Sequence, residues 1–296
     1  WWELPCESHT EVAWEARSPI HERNLFRGVM KNLSYYTLSL SGGKDSLALF
    51  LKILEESARL DEVVTVDLGD EYQATYDTLL FAASICLKER IKFTVLSIPE
   101  TEEYQEYKSA TGVELRMFEF MVFEHEKQNG CKGYGWCGKQ RWGTAIKRQL
   151  LNGYYQSLER FVIEYVGIAA DEAQRIDIKP HKNYAKSYPL IKWGMTEADC
   201  LEYCYQHGVQ WKQSGIRLYD ILDRVSCQHC QQKNLKELRN IRKYLPELWN
   251  SFKDWQNRIP FPYRSDGSTI YGLDKRFASE NMQLSLFDIG IKEAME

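Results

Sequence analysis

A chain of 296 residues, 44% of them hydrophobic, can bury a large core in one or two domains. Its formal net charge of -4 excludes a surface that is positive throughout, so nucleic acid could be met only by a local patch. No apolar run approaches the ~20 residues that span a bilayer, no signal peptide is recognisable, and eight cysteines without a disulfide-stapled pattern point to a reducing compartment, so the chain reads as cytoplasmic.

Residues 1–34 read as an N-terminal extension. Beyond it, four runs rich in β-branched and aromatic residues read as buried strands: YYTLSLS (35–41), EVVTVDLG (62–69), KFTVLSIP (92–99) and FVIEYVGIA (161–169). Helical patterns at 45–58 and 72–90 lie between them. Such alternation predicts an α/β domain over 35–185, a Rossmann-like parallel sheet with helices on both faces, which takes ligands at the carboxyl ends of its strands. A smaller, mainly helical region follows over 186–258. In it Thr196 with Asp199 marks a helix start, Gly208 its end, and Pro246 a break after Tyr244. The tail, 259–296, reads as turns that wrap the surface.

Between the first strand and the first helix stands Ser41-Gly42-Gly43-Lys44-Asp45-Ser46. Two glycines let backbone N–H groups close on an anion, and the helix starting near Asp45 turns its positive end toward the same space. Lys44 adds a charge, Ser41 and Ser46 hydroxyls. The kinase-type P-loop does not fit, because Asp45 occupies the position that motif gives to Ser or Thr. A tight turn without ligand is the plain alternative.

SGGKDS resembles the PP-loop of the ATP pyrophosphatase superfamily, which holds nucleotide phosphates while the α–β bond is broken. VDLGDEYQATYD (66–77), GIAADEAQRI (167–176), PLIKWGMTEADCLEYCYQHGV (189–209) and CQHC (227–230) resemble segments of its phosphoadenosine phosphosulfate (PAPS) reductase-like branch, in the same order. The resemblance covers about residues 35 to 250. It implies an ATP site with Mg²⁺: Gly42, Gly43, Lys44 and Ser46 around the phosphates, and Gly167 and Asp67 with the nucleotide. Asp45 is a helix cap or a Mg²⁺ ligand. Glu172 and Arg175 follow the fourth strand, where Arg175 could hold a phosphate and Glu172 a Mg²⁺ or a hydroxyl; a surface ion pair explains the same two residues. Two departures stand out. Ala169 replaces an Arg common in the branch, and no Cys follows Cys230, whereas the branch's reductases use a nucleophilic Cys near the C-terminus.

Cys227 and Cys230 form a Cys-x-x-Cys, and Cys131 and Cys137 a second pair in a glycine-rich loop. Four thiolates suit a 4Fe-4S cluster, which the resemblance favours, or Zn²⁺; free or redox-paired thiols are the third reading. His229 reads as exposed and able to replace a cysteine as ligand, Cys200 and Cys204 as buried apolar residues. From Lys127 to Leu158 no acid occurs, while six basic residues alternate with Tyr134, Trp136, Trp142, Tyr154 and Tyr155. That pattern suits a single strand of nucleic acid, or a solvated face over core aromatics. The sequence thus predicts an enzyme that adenylates an acceptor from ATP, in sulfur transfer or nucleic-acid modification. A PAPS or adenylyl-sulfate reductase and a non-catalytic, metal-stabilised nucleotide- or nucleic-acid-binding module are the alternatives.

Overall fold

Four of the apolar runs form strands: β1 (Tyr35–Ser39), β2 (Glu62–Asp67), β3 (Lys92–Ser97) and β4 (Val162–Val166). The computed structural model describes residues 34–126, 133, 135–136, 142–176 and 184–280. Two units divide the chain, Trp1–Ser34 and Tyr35–Glu296, and every element named here belongs to the second. A fifth strand, β5 (Tyr184–Ser187), is not announced by the sequence because Lys186 and Ser187 interrupt its apolar pattern. All neighbours pair parallel, in the order β3-β2-β1-β4-β5. This is the expected Rossmann-like α/β sheet. Since the chain first builds outward from β1 to β3 and then returns to the other side of β1 with β4, the strand order reverses there, which is the place where sheets of this kind take ligands.

Expected to be buried like the others, β3 is instead an edge strand with one neighbour, and its Val95 is 57% exposed. By contrast β2 is buried along nearly its whole length.

The helices are α1 (Lys44–Glu55), α2 (Gln73–Glu89), α3 (Glu102–Thr111), α4 (Met117–Phe123), α5 (Trp142–Ser157), α6 (Pro189–Lys192), α7 (Glu197–Gln206), α8 (Leu218–Ile221), α9 (Leu235–Tyr244) and α10 (Pro246–Arg258). A last one, α11, covers 270–280. Thr196 and Asp199 cap α7 reciprocally, the Thr196 hydroxyl accepting from Asp199 N at 3.2 Å and the Asp199 carboxylate from Thr196 N at 2.9 Å. Past its end, Gly208 takes φ +84°. Pro246 separates α9 from α10, because it has no N–H with which to continue the first helix. Residues 212–217 form a short antiparallel hairpin between α7 and α8.

The described part of the tail, 259–280, does not lie wholly on the surface as turns. Ile259, Tyr263, Ile270, Leu273 and Phe277 are buried, in one apolar cluster that also holds Leu38 of β1 and Phe252 of α10. Helical spacing of Ile270, Leu273 and Phe277 gives α11 an apolar face, and that face draws it inward. Asp274 fastens the other side, accepting from Arg242 Nε at 2.6 Å, Trp249 Nε1 at 2.8 Å and Lys253 Nζ at 2.9 Å. Burial works against this carboxylate, but the hydrogen bonds outweigh it and hold its pKa at about 2 against the ordinary 3.8. A depressed carboxylate stabilises the fold above its unfolded pKa and loses that contribution as pH falls through the folded one. Asp274→Asn is therefore expected to lower the urea midpoint at neutral pH, and the gap to wild type should close between pH 3.8 and about 2. A gap unchanged at the acid end would show that the carboxylate's charge is not what holds α11.

Candidate functional site

The turn after β1 leads directly into α1, so the SGGKDS segment sits at the switch point. Gly42 has φ +76°, and a Cβ there would lie 2.6 Å from the Thr75 methyl, so only glycine makes this turn without displacing α2. Ser41 and Ser46 close the loop on itself, with their hydroxyl oxygens 3.0 Å apart and Ser41 N donating to Ser46 Oγ at 3.2 Å. Gly167, just past β4, packs on the same backbone. A Cβ on it would meet Ser46 N and Cα at 2.8 Å.

Lys44 is only 7% exposed. Its ammonium donates to Asp45 Oδ1 and to Glu197 Oε1, both at 2.9 Å. Burial opposes the charge, yet these two carboxylates keep its pKa above the ordinary 10.5. Burial also raises the Asp45 carboxyl, against the pull of Lys44, and the nearby Glu197 and Glu172 add to the rise. Asp45, Glu172 and Glu197 each bring an oxygen within 4.8 Å of the others, a spacing that one divalent cation can bridge. Glu172 lies on the 3₁₀ turn Ala170–Arg175 that follows β4, where Arg175 pairs with one of its oxygens and Arg224 donates to the other at 2.6 Å.

The structure thus brings Ser41, Gly42, Gly43, Lys44, Asp45, Ser46, Gly167, Glu172 and Arg175 to one sheet edge. Asp67 ends β2, and its Oδ1 accepts from Gly69 N at 2.7 Å and from the Tyr76 hydroxyl at 2.9 Å. Three participants escaped sequence reasoning. Glu197 was visible only as the first residue of a capped helix. Trp211 Nε1 donates to Gly42 O at 2.8 Å, and the Tyr219 hydroxyl accepts from Lys44 N at 2.9 Å; neither carries any motif. Both flank the 212–217 hairpin, their rings meet edge-on at 5.0 Å, and Trp211 takes φ +44°, a strained value for a bulky residue.

A second feature lies beyond β2. Cys227 and Cys230 share a turn, Cys230 N donating to Cys227 O at 3.2 Å, and both line a cavity of about 550 Å³ together with Arg175, Arg224 and Lys233. Burial, with Glu71 nearby, pushes the Cys227 thiol up, while Lys147 pulls it down. Two soft sulfur donors opening on one cavity suit iron or zinc. Cys131 and Cys137 lie outside the described residues. His229 is not exposed, as the sequence suggests, but 8% exposed. Its Nδ1 meets Asp70 Oδ1 and its Nε2 meets Ser251 Oγ, both at 2.7 Å, and its ring stacks on Trp255 at 3.8 Å. Both ring nitrogens are thus engaged by protein groups. Cys200 and Cys204 are buried, as read.

Of the two readings of the basic stretch, the described aromatic side chains follow the one that puts them over the core. Trp136 is 4% exposed, packed against Phe252, Trp255 and Tyr263, and Tyr155 is buried too. The Tyr154 hydroxyl donates to Glu62 Oε1 at 2.7 Å, and Lys147 pairs with Glu71 at 2.5 Å. Trp136 and Tyr155 thus belong to the core and are not free to stack on bases, Tyr154 is half-buried, and Arg148 is exposed. Lys127, Lys132, Tyr134, Lys139 and Arg141 lie outside the described residues.

Fold and site together define an α/β chain with a glycine turn at the switch point of a parallel sheet, beside a carboxylate cluster. No family model matches the sequence. An uncharacterized protein of Methanocaldococcus jannaschii is 23% identical over an alignment of 230 residues that covers 74% of this chain. The chain spans 40% of that relative's length. Among solved structures, the U34-tRNA thiolase NcsA from Methanococcus maripaludis, with its 4Fe-4S cluster, aligns at a TM-score of 0.37 and 16% identity, over 77% of this chain and 78% of that one. That score is too low to bear on function. Among the described residues, no helix is long and apolar enough to cross a membrane.

Proposed function

We propose that the chain is a PP-loop enzyme of the PAPS reductase-like branch that binds ATP and splits its α–β bond to adenylate an acceptor. The observation that carries this reading is the SGGKDS turn at the switch point, with the Gly167 backbone pressed on Ser46 and the Asp45–Glu172–Glu197 cluster beside it. In it, Gly42, Gly43, Lys44 and Ser46 hold the phosphates, and Arg175 takes a non-bridging oxygen. Asp67 borders the nucleoside, its carboxylate fixed by Gly69 and Tyr76. Asp45, Glu172 and Glu197 would hold Mg²⁺, which supplies charge neutralisation on the phosphates when bound. The chain's own contribution is to position the α-phosphate and to oppose the charge that grows on departing pyrophosphate.

Cys131, Cys137, Cys227 and Cys230 hold a 4Fe-4S cluster in this reading, with zinc as the alternative. The acceptor is a nucleic acid or a sulfur-bearing intermediate, met inside the cell. Incubation with ATP labelled on the α-phosphate, Mg²⁺ and a panel of RNA, DNA and small thiols is expected to yield labelled acceptor and free pyrophosphate. Release of ADP and orthophosphate instead would reject α–β cleavage. Sulfite from adenylyl-sulfate compounds with a thiol donor would assign a reductase, and nucleotide binding without turnover a binding module.

A further inference from the structure

Lys233 is 2% exposed and lines the same cavity as Cys227 and Cys230. It follows the cysteine turn directly, its N–H donating to Cys230 O at 3.3 Å. Its ammonium has the Ser226 hydroxyl at 3.4 Å and stands over the Tyr72 ring, 5.2 Å from the centroid. Among the described residues, no carboxylate forms an ion pair with it. The acids around it are committed elsewhere. Glu237 accepts from the backbone of Asp223, Arg224 and Asn234, at 3.1, 3.3 and 2.9 Å. Asp70 holds His229, and Glu71 is paired with Lys147. Residues 127–141, which carry the other cysteine pair, contain no Asp or Glu at all.

A buried ammonium with no carboxylate at ion-pair distance is an unfavourable arrangement, and one hydroxyl, one aromatic face and the Glu237 carboxylate beyond contact compensate only part of the lost hydration. Asp223, which also lines the cavity, is paired with Lys236 at 3.1 Å, so among the described residues the remaining groups there that can carry negative charge are the two sulfurs. A neutral thiol offers none, whereas thiolates bound to a metal keep a net negative charge when several surround one ion or cluster. We propose that Lys233 is the counter-ion of a metal–thiolate centre built on Cys227 and Cys230, stabilising the centre by its charge without ligating it. This rests on the metal reading of the cysteines. It assigns Lys233 a role that no motif predicts.

The test compares metal retention and thermal stability of the full chain, purified anaerobically, as wild type, Lys233→Met and Lys233→Arg. Transfer of iron or zinc to a competing chelator is expected to be easier from Lys233→Met by about tenfold or more, while Lys233→Arg holds its metal nearly as well as wild type. Stripped of metal, Lys233→Met should melt higher than stripped wild type, because an uncompensated buried charge has gone. If iron is bound, the Met variant's reduction potential should move negative. A merely structural lysine would instead lower both forms in parallel. Equal metal retention in Lys233→Met, or a lower melting point of its metal-free form, overturns the proposal. Should the Met variant fail to fold, Lys233→Gln, which keeps a donor for Ser226 without the charge, carries the same expectations. Wild-type protein that neither contains nor takes up iron or zinc overturns the metal reading itself, and its own metal content shows this before any variant is made.

Discussion

Replacing Lys44 and Ser46 together by alanine is expected to weaken ATP binding about a hundredfold to ten-thousandfold, since each removes a charged or strong hydrogen bond worth roughly 1.5–3 kcal/mol. The effect goes beyond the two lost contacts. Lys44 stands between Asp45 and Glu197, each at 2.9 Å, so its removal leaves two carboxylates facing an incoming polyphosphate. Isothermal calorimetry with Mg-ATP, beside circular dichroism to establish folding, measures this. If the folded double variant binds ATP as tightly as wild type, the loop is a turn and nothing more.

Gly167→Ala is expected to be nearly as damaging, although it changes no functional group. Its methyl carbon would sit 2.8 Å from Ser46 N and Cα and 2.9 Å from Asp45 C, all of them backbone atoms of the first turn of α1. A side chain could swing away, but this backbone moves only if the helix start moves with it. Overpacking of this kind costs about 1–3 kcal/mol of stability. Because the displaced atoms belong to the loop, nucleotide affinity should fall in the same variant. Urea denaturation and ATP binding measured side by side check both halves, and unaltered affinity would place the nucleotide away from Ser46.

Local features were readable from the chain: the strand–turn–helix around Gly42 and Gly43, the Thr196–Asp199 cap and the break at Pro246 each depend on residues close in sequence. What could not be read depends on distant contacts. Tyr219 reaches Lys44 across 175 positions and Trp211 reaches Gly42 across 169, and no local pattern encodes either bond. His229 looked exposed because a histidine between two cysteines in a turn usually is; Asp70, Ser251 and Trp255 enclose it only once β2 and α10 have come together. The two readings of the basic stretch stayed open for a related reason. Trp136 has an aromatic core to join, which becomes visible only when α10 supplies Phe252 and Trp255. β3 showed the same letters as a buried strand, and strand order alone made it an edge.

The two bonds from Trp211 and Tyr219 also set an order of events during synthesis. β1 finds its partner β4 only after more than a hundred further residues have been made, as Tyr35 pairs with Val162. Non-local parallel pairing of this sort is slow, because loop closure must precede the contacts that reward it. Even a completed sheet would leave the Gly42 carbonyl and the Lys44 N–H without their partners until the 212–217 hairpin emerged from the ribosome. A nascent chain stalled at residue 205 would therefore carry every residue of the SGGKDS turn and still present it unbraced, so competence to hold a nucleotide would arrive late in translation rather than with the loop itself.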